Sequence, residues 1–388
     1  MWHSTDLVQW ELADRVFDSA VPEWAEKAVP RTSGIWAPDI SYYNGLYHLY
    51  YSVSTFGSQH SVIGLAVNKT LNKSSADYKW EDRGMVIDSD GGRDNFNAID
   101  PALALDADGN PYLFWGSYWT GIKAVKVDPE TGKPVKDAKP VDIAAREGVI
   151  AKPDIGLNTA IEGAYVFRHD DLYYLFVSFD SCCDGEKSTY KVMVGRSDNI
   201  LGPYFDMEGE KMLDGGGTLV LQSDTRWRGT GHNSVLSMPS GDWLVSHAYD
   251  VYRLRAARQL QVRPMYWQRN GWPVVGLPLS ESRPVNSNRD SAPIPTTADV
   301  IGTWLHYAAD APMQQIELAA DGTIFNMSGK AGKWSLEGRE LILKWTSYRA
   351  PEGFRTDYLL IEPEPAGSRP CTYTGRSEHG TVIHGEKK

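Results

Sequence analysis

"NGLYHLYYS", residues 44–52, decides the fold because it recurs. A turn residue followed by an aromatic-rich apolar run returns as "GNPYLFWGS" at 109–117, "DDLYYLFVS" at 170–178 and "SGDWLVSHA" at 240–248, with starts roughly 60 to 70 residues apart. Alternating strands such as "VIGLAVNKT" (62–70), "GIKAVKVD" (121–128) and "YKVMVGRSD" (190–198) fall between them, set off by Gly, Asn and Asp turns. A period of that length, filled with short strands and lacking a 3.6-residue pattern, predicts the blades of a β-propeller. The near-continuous apolar runs are expected to be the inner strands. Carried backwards, the period places a further inner strand about 20 residues ahead of Met1, and "MWHSTDLVQWE" reads as the outer part of that blade. The first blade is therefore expected to be incomplete at the N-terminus.

After "GWPVVGLPL" (271–279) the texture changes to a stretch dense in Pro, Ser, Asn and Arg, which suits a linker. Hairpin signals follow at "AADGTI" (319–324) and "SLEGREL" (335–341), with a strand pattern in "ELILKWTSY" (340–348). The expected organisation is all-β: a propeller over 1–285, a linker over 286–299 and a small β-barrel over 300–388.

Composition excludes several functions. Lys and Arg total 39 against 50 Asp and Glu, a formal net charge of -11 that repels a phosphate backbone, so nucleic acid is not an expected partner. No run of eighteen apolar residues occurs, so no membrane helix is expected, and the first residues lack the basic start and apolar middle of a signal peptide. The 14 Trp and 20 Tyr must fill a β core or present flat faces to a ligand, for which sugars are the obvious class. Of three cysteines, Cys182 and Cys183 are adjacent and Cys371 is distant, fitting neither a disulfide framework nor a zinc site. The pair reads as support for a loop, as thiols or as an adjacent-residue disulfide. The sequence does not indicate an oligomeric state.

Two acids precede repeat runs at a similar offset. Asp100 sits in "NAIDPAL", where Pro101 holds the preceding residue in extended geometry, and Glu162 sits in "TAIEGAYVF", where Gly163 allows close approach. In a propeller, equivalent offsets bring side chains to one end of the central channel. Two converging carboxylates hold one proton between them more readily than either alone, which suits acid catalysis at a glycosidic oxygen. Taken singly, each acid could equally cap a turn.

"WAPDI" (36–40), "NAIDP" (97–101), "WGSYW" (115–119), "AIEGAYVF" (160–167), "YYLFVSFDSCCDG" (173–185), "GGGTLVL" (215–221) and "GTGHNSV" (229–235) together resemble the arabinanases of glycoside hydrolase family 43. The tail "CTYTGRSEHGTVIHGEKK" is similar to the end of the accessory barrel of two-domain members. The resemblance implies a five-bladed propeller that hydrolyses α-1,5-linked arabinan or arabino-oligosaccharide with inversion. It implies Glu162 as general acid and Asp100 as the modulator that orients the acid and keeps it protonated by like-charge proximity. The family's general base lies on the first inner strand in a His- or Asp-Asp-Pro motif that this sequence does not match. A shortened reading frame, completion by another acid or a neighbouring chain, and a non-catalytic arabinan-binding propeller all account for that. Asp39 in "WAPDI" is the nearest substitute and reads mainly as structural.

His232 in "GTGHNSV" matches the family's axial histidine, which implies a calcium or sodium ion near the site and no organic cofactor. For substrate contact the rings expected along the groove are Trp36, Phe96, Trp115 and Tyr118, with Asn97 and Ser117 as hydrogen-bonding partners. For Trp115, inside a strand, propeller core is the alternative. The resemblance also implies a secreted or periplasmic protein. A family 43 exo-arabinofuranosidase or xylosidase is the closest other enzyme. Fructan-active propellers are disfavoured because Ile99 stands where they carry Arg before the Asp-Pro.

Overall fold

A computed structural model describes the chain except residues 152–157, 254–256, 281–284, 286–291, 310, 348–352 and 364–371. Much of the expected linker, and Cys371, lie outside the described residues. The rest is all-β. Sheet I comprises Ile35–Tyr43, Leu46–Val53, Ser61–Asn68 and Glu81–Ser89; sheet II comprises Ala102–Leu105, Pro111–Trp115, Ile122–Lys126 and Val141–Ala144. Sheet III comprises Ile161–His169, Leu172–Phe179, Lys191–Ser197 and Thr218–Leu221; sheet IV comprises Trp227–Met238, Gly241–Asp250, Gln259–Trp267 and Pro273–Val275. Each is an antiparallel meander in chain order, and the four are arranged as propeller blades. Among the described residues there is no fifth four-stranded sheet: Trp2–His3 and Glu11–Leu12 pair as a two-stranded hairpin.

The repeated aromatic runs form the second strand of each sheet, not the innermost one. A second strand has a partner on both edges and a neighbouring sheet on both faces, so almost all of it must be apolar. Leu46–Val53 and Leu172–Phe179 are buried nearly throughout. The innermost strands border the channel and carry the polar residues. Asp39 and Glu162 lie on them, and Asp100 stands two residues ahead of one.

A residue of positive φ stands on or just ahead of each innermost strand. Ala37, Asp100, Gly163 and His232 have φ of 38°, 58°, 60° and 50°, and the register slips between Trp36 and Asp39, Glu162 and Tyr165, and Gly231 and Ser234. A bulge of this kind re-aims a side chain at the end of a strand. Asp100 is left-handed and not extended as the following Pro101 implied, its N–H being drawn to Ser52 Oγ of the neighbouring sheet.

Residues ahead of sheet I lie between sheets IV and I. Leu7 joins a buried cluster with Trp243 and Val262 of sheet IV, while Ala25 and Val29, on and just after the helix Glu23–Ala28, pack on Tyr51, Val53 and Val62 of sheet I.

The C-terminal unit is a closed eight-stranded barrel running from Gly302–Ala308 to Val382–Lys387, whose first and last strands pair. Trp304, Ile316, Leu343, Leu359 and Tyr373 belong to its core. Its seventh strand, Thr372–Ser377, sits on the outer edge of sheet IV: Thr374 Oγ1 donates to Val275 O at 2.5 Å and Arg376 Nη2 donates to Pro273 O. Arg376 is buried, and its Nη1 reaches Met207 Sδ at 3.4 Å. Truncating it strands a buried carbonyl, so Arg376→Ala should cost about 1–3 kcal/mol. In a thermal melt its signature is a lower midpoint; an unchanged midpoint would show that this contact does not hold the two units together.

Candidate active site

The cavity at one end of the four sheets has a volume of about 890 Å³. Asp100, Glu162 and His232 bring one ligand atom each to within 4.8 Å of one another. Three serines set this up, each closing an aromatic repeat run and each reaching the following sheet. Ser52 Oγ accepts the Asp100 N–H at 2.9 Å, Ser117 Oγ donates to Glu162 Oε2 at 2.6 Å, and Ser178 Oγ accepts the His232 N–H at 2.8 Å.

Glu162 is buried, and its other oxygen, Oε1, accepts the Tyr190 hydroxyl at 2.6 Å. Both partners are hydroxyls, which can donate to the carboxylate or turn and accept from the acid. The pair can therefore bond the Glu162 carboxyl in either of its charge states. Burial pushes Asp100 up to about 7, the nearby Glu162 adds to the rise, and His232 and the Gly163 N–H oppose it. Asp100 Oδ2 is buried without a hydrogen-bond partner among the described residues. His247, also on the cavity wall, is pushed down to about 3 by burial and stays neutral.

The glycines of "GTGHNSV" are explained by this packing. A Cβ on Gly231 would lie 2.2 Å from the Tyr190 ring, and one on Gly229 would lie 2.4 Å from the Ser188 side chain. Either would push the loop and the tyrosine that holds Glu162.

Of the residues expected to touch substrate, Trp36, Asn97, Ser117 and Tyr118 line the cavity. Trp115 and Phe96 do not. Trp115 is completely buried and Phe96 packs edge-on against it at 5.8 Å, so both belong to the core between sheets I and II. Burial on both faces of the second strand left Trp115 no open face. Phe56, 86% exposed, and Trp119 line the cavity instead, although the repeat pattern did not single them out. Phe56 stands alone before Gly57 in a connection, which was its one signal in the sequence. Tyr190 was missed because it precedes the third strand of sheet III and meets Glu162 only through the fold. Asp39 does not line the cavity; it accepts the Leu103 N–H at 3.1 Å, and burial pushes it up to about 6. Among the described cavity-lining residues, Asp100 and Glu162 are the only carboxylates.

Paired buried acids in a sugar-sized hollow at the end of a propeller define a glycosidase. The family model of glycosyl hydrolases family 43 matches residues 1–273, and the chain belongs to that family. It is 42% identical over 277 residues to an extracellular exo-α-(1→5)-L-arabinofuranosidase of Cellvibrio japonicus (strain Ueda107), covering 71% of this chain and 79% of that one. It is 40% identical over 270 residues to an extracellular endo-α-(1→5)-L-arabinanase of Bacillus subtilis (strain 168), covering 70% and 77%. The solved α-L-arabinanase of Cellvibrio cellulosa in complex with arabinohexaose matches with a TM-score of 0.67 at 41% identity, over 71% of this chain and 87% of that one. An endo-1,5-α-L-arabinanase from Thermotoga petrophila RKU-1, at 22% identity, matches the fold over 100% of this chain and 93% of its own, with a TM-score of 0.79.

Two outcomes follow. Asp100 has an ordinary value of 3.8, so below it the group is neutral whether folded or not, and the cost of burying its charge grows until pH passes about 7. Asp100→Asn should therefore gain stability over the wild type between pH 4 and 7, with a constant difference above; equal melting differences at pH 4 and pH 8 would contradict the burial cost. Gly231→Ala should lower the midpoint and cut activity about tenfold or more through Tyr190, readable in parallel melts and assays.

Proposed function

We propose that the protein hydrolyses α-1,5-L-arabinofuranosidic bonds of arabinan with inversion, Glu162 protonating the leaving oxygen and Asp100 setting its charge environment. The observation that carries this is the convergence of Glu162, Asp100 and His232 to within 4.8 Å of one another inside one cavity, in a chain 40% identical or more to proteins named for α-1,5-arabinan chemistry. An inverting acid and base stand roughly 6.5–9.5 Å apart to admit a water. Asp100 is closer to Glu162 than that, which leaves no room for the water an inverting base must hold between them. Modulation is the role left to it.

Residues ahead of sheet I supply the outer part of a fifth blade in this reading, since they bridge sheets IV and I. The alternative is an arabinan-binding propeller with impaired catalysis, favoured by the single fact that no third carboxylate lines the cavity among the described residues. Secretion is proposed because two relatives are named as extracellular.

His232 is the proposed contact for a calcium or sodium ion. The unpartnered Asp100 Oδ2 beside it is the feature that fits a cation. Calcium takes six to eight oxygen ligands, so water would fill most places. Bound there, the ion would supply positive charge that favours ionised Asp100.

Linear arabinan incubated with purified protein should yield arabino-oligosaccharides or arabinose, and Glu162→Gln should lower that rate by about 10² to 10⁴ while the melting curve stays near wild type. Retention of arabinan in affinity electrophoresis without release of reducing sugar would select the binding-module reading; neither retention nor release would remove arabinan from consideration.

A further inference from the structure

Cys182 and Cys183 are joined by a disulfide, and both line the cavity. Cys183 is exposed and has φ of 71°, so the bond sits at an outward-turned loop tip. Arg258 of the facing sheet IV segment places Nη1 3.6 Å from Cys183 Sγ and also lines the cavity. Its guanidinium forms no ion pair among the described residues, so its donors are available at an exposed position. Leu260, 54% exposed, continues the same wall.

The loop is tied directly to the catalytic acid. Ser181 O accepts the N–H groups of Thr189 and Tyr190 at 3.0 and 3.1 Å, Asp184 N–H donates to Ser188 Oγ at 3.0 Å, and Tyr190 donates to Glu162. The disulfide loop is thus joined through Tyr190 to Glu162 on the innermost strand of the same sheet.

From this we infer that the Cys182–Cys183 disulfide and Arg258 form a furanose-binding subsite, the sulfur pair covering the C–H face of one arabinosyl unit while the guanidinium donates to its hydroxyls. Disulfide sulfur is polarisable and carries no hydrogen-bond donor, which suits the apolar face of a sugar, and Leu260 extends that face. A charged donor free of a carboxylate competitor suits the hydroxyl edge. The inference rests on arabinan as the substrate.

The test measures binding of arabinohexaose and of arabinobiose to the full chain by calorimetry. Three forms are compared with the wild type: Arg258→Ala, Cys182→Ala/Cys183→Ala, and protein treated with dithiothreitol. The reductant supplies two electrons and two protons, giving two thiols and its own cyclic disulfide. Arg258→Ala should weaken arabinohexaose about tenfold, and loss of the disulfide should weaken it several-fold, with arabinobiose and the melting midpoint of Arg258→Ala little changed. Unchanged arabinohexaose affinity in both Arg258→Ala and the reduced protein would overturn the subsite. So would equal losses for both sugars, accompanied by a lower melting midpoint, since the disulfide would then only staple the hairpin. A wild type that binds neither sugar would overturn the arabinan reading itself, whereas a failed subsite with tight wild-type binding leaves that reading standing.

Discussion

The site depends on a hydroxyl that crosses from one blade to the next. Ser52 and Ser178 close the second strands of sheets I and III, Ser117 follows that of sheet II, and each grips a residue on or just ahead of the neighbouring innermost strand: the Asp100 backbone, the Glu162 carboxylate and the His232 backbone. A left-handed backbone costs a non-glycine residue roughly 1–2 kcal/mol. Asp100 and His232 both accept that cost, and one buried hydrogen bond contributes about 1 kcal/mol against it. The remainder comes from the sheets on either side. Conformations that are locally unfavourable therefore persist where the surrounding packing leaves the chain no alternative, and they turn both side chains toward one point.

Charge follows from the same placement. Asp100 would be an ordinary surface acid at a strand end facing water. Buried beside a second carboxylate it becomes a group that titrates near neutrality. His232 lowers and Glu162 raises Asp100, so replacing either neighbour changes how readily Asp100 holds its proton.

The blades were legible in the sequence because the second strands repeat with nearly the same composition, and that repetition survives any error in strand boundaries. Their position within each sheet was not legible, since an apolar run buried on two faces looks the same as the innermost or the second strand. Asp100 and Glu162 could be found because both sit in an Ala-Ile-acid pattern at a matching offset. Trp115 was misplaced for the converse reason: its ring type suits sugar contact, but its strand gives it no open side. Tyr190 and Phe56 carried little signal, because the first is defined by a contact two strands away and the second by the shape of a connection. The barrel announced itself through Asp321–Gly322 and Glu337–Gly338, which do fall at the turns between successive strands there. Its attachment to sheet IV came from side chains such as Arg376 that have no local pattern.

That attachment ties the two units together through several side chains. Gln268 Nε2 donates to Tyr358 O at 2.9 Å, and Arg269 pairs with Glu337 and Glu340, adding to the bonds made by Thr374 and Arg376. A module on a slack tether raises the local concentration of whatever it holds over a range of distances. A barrel bolted to a blade edge instead presents one distance and one angle, like the second jaw of a fixed-gap gauge. Any polymer touching both units must already be long and curved enough to span that gap.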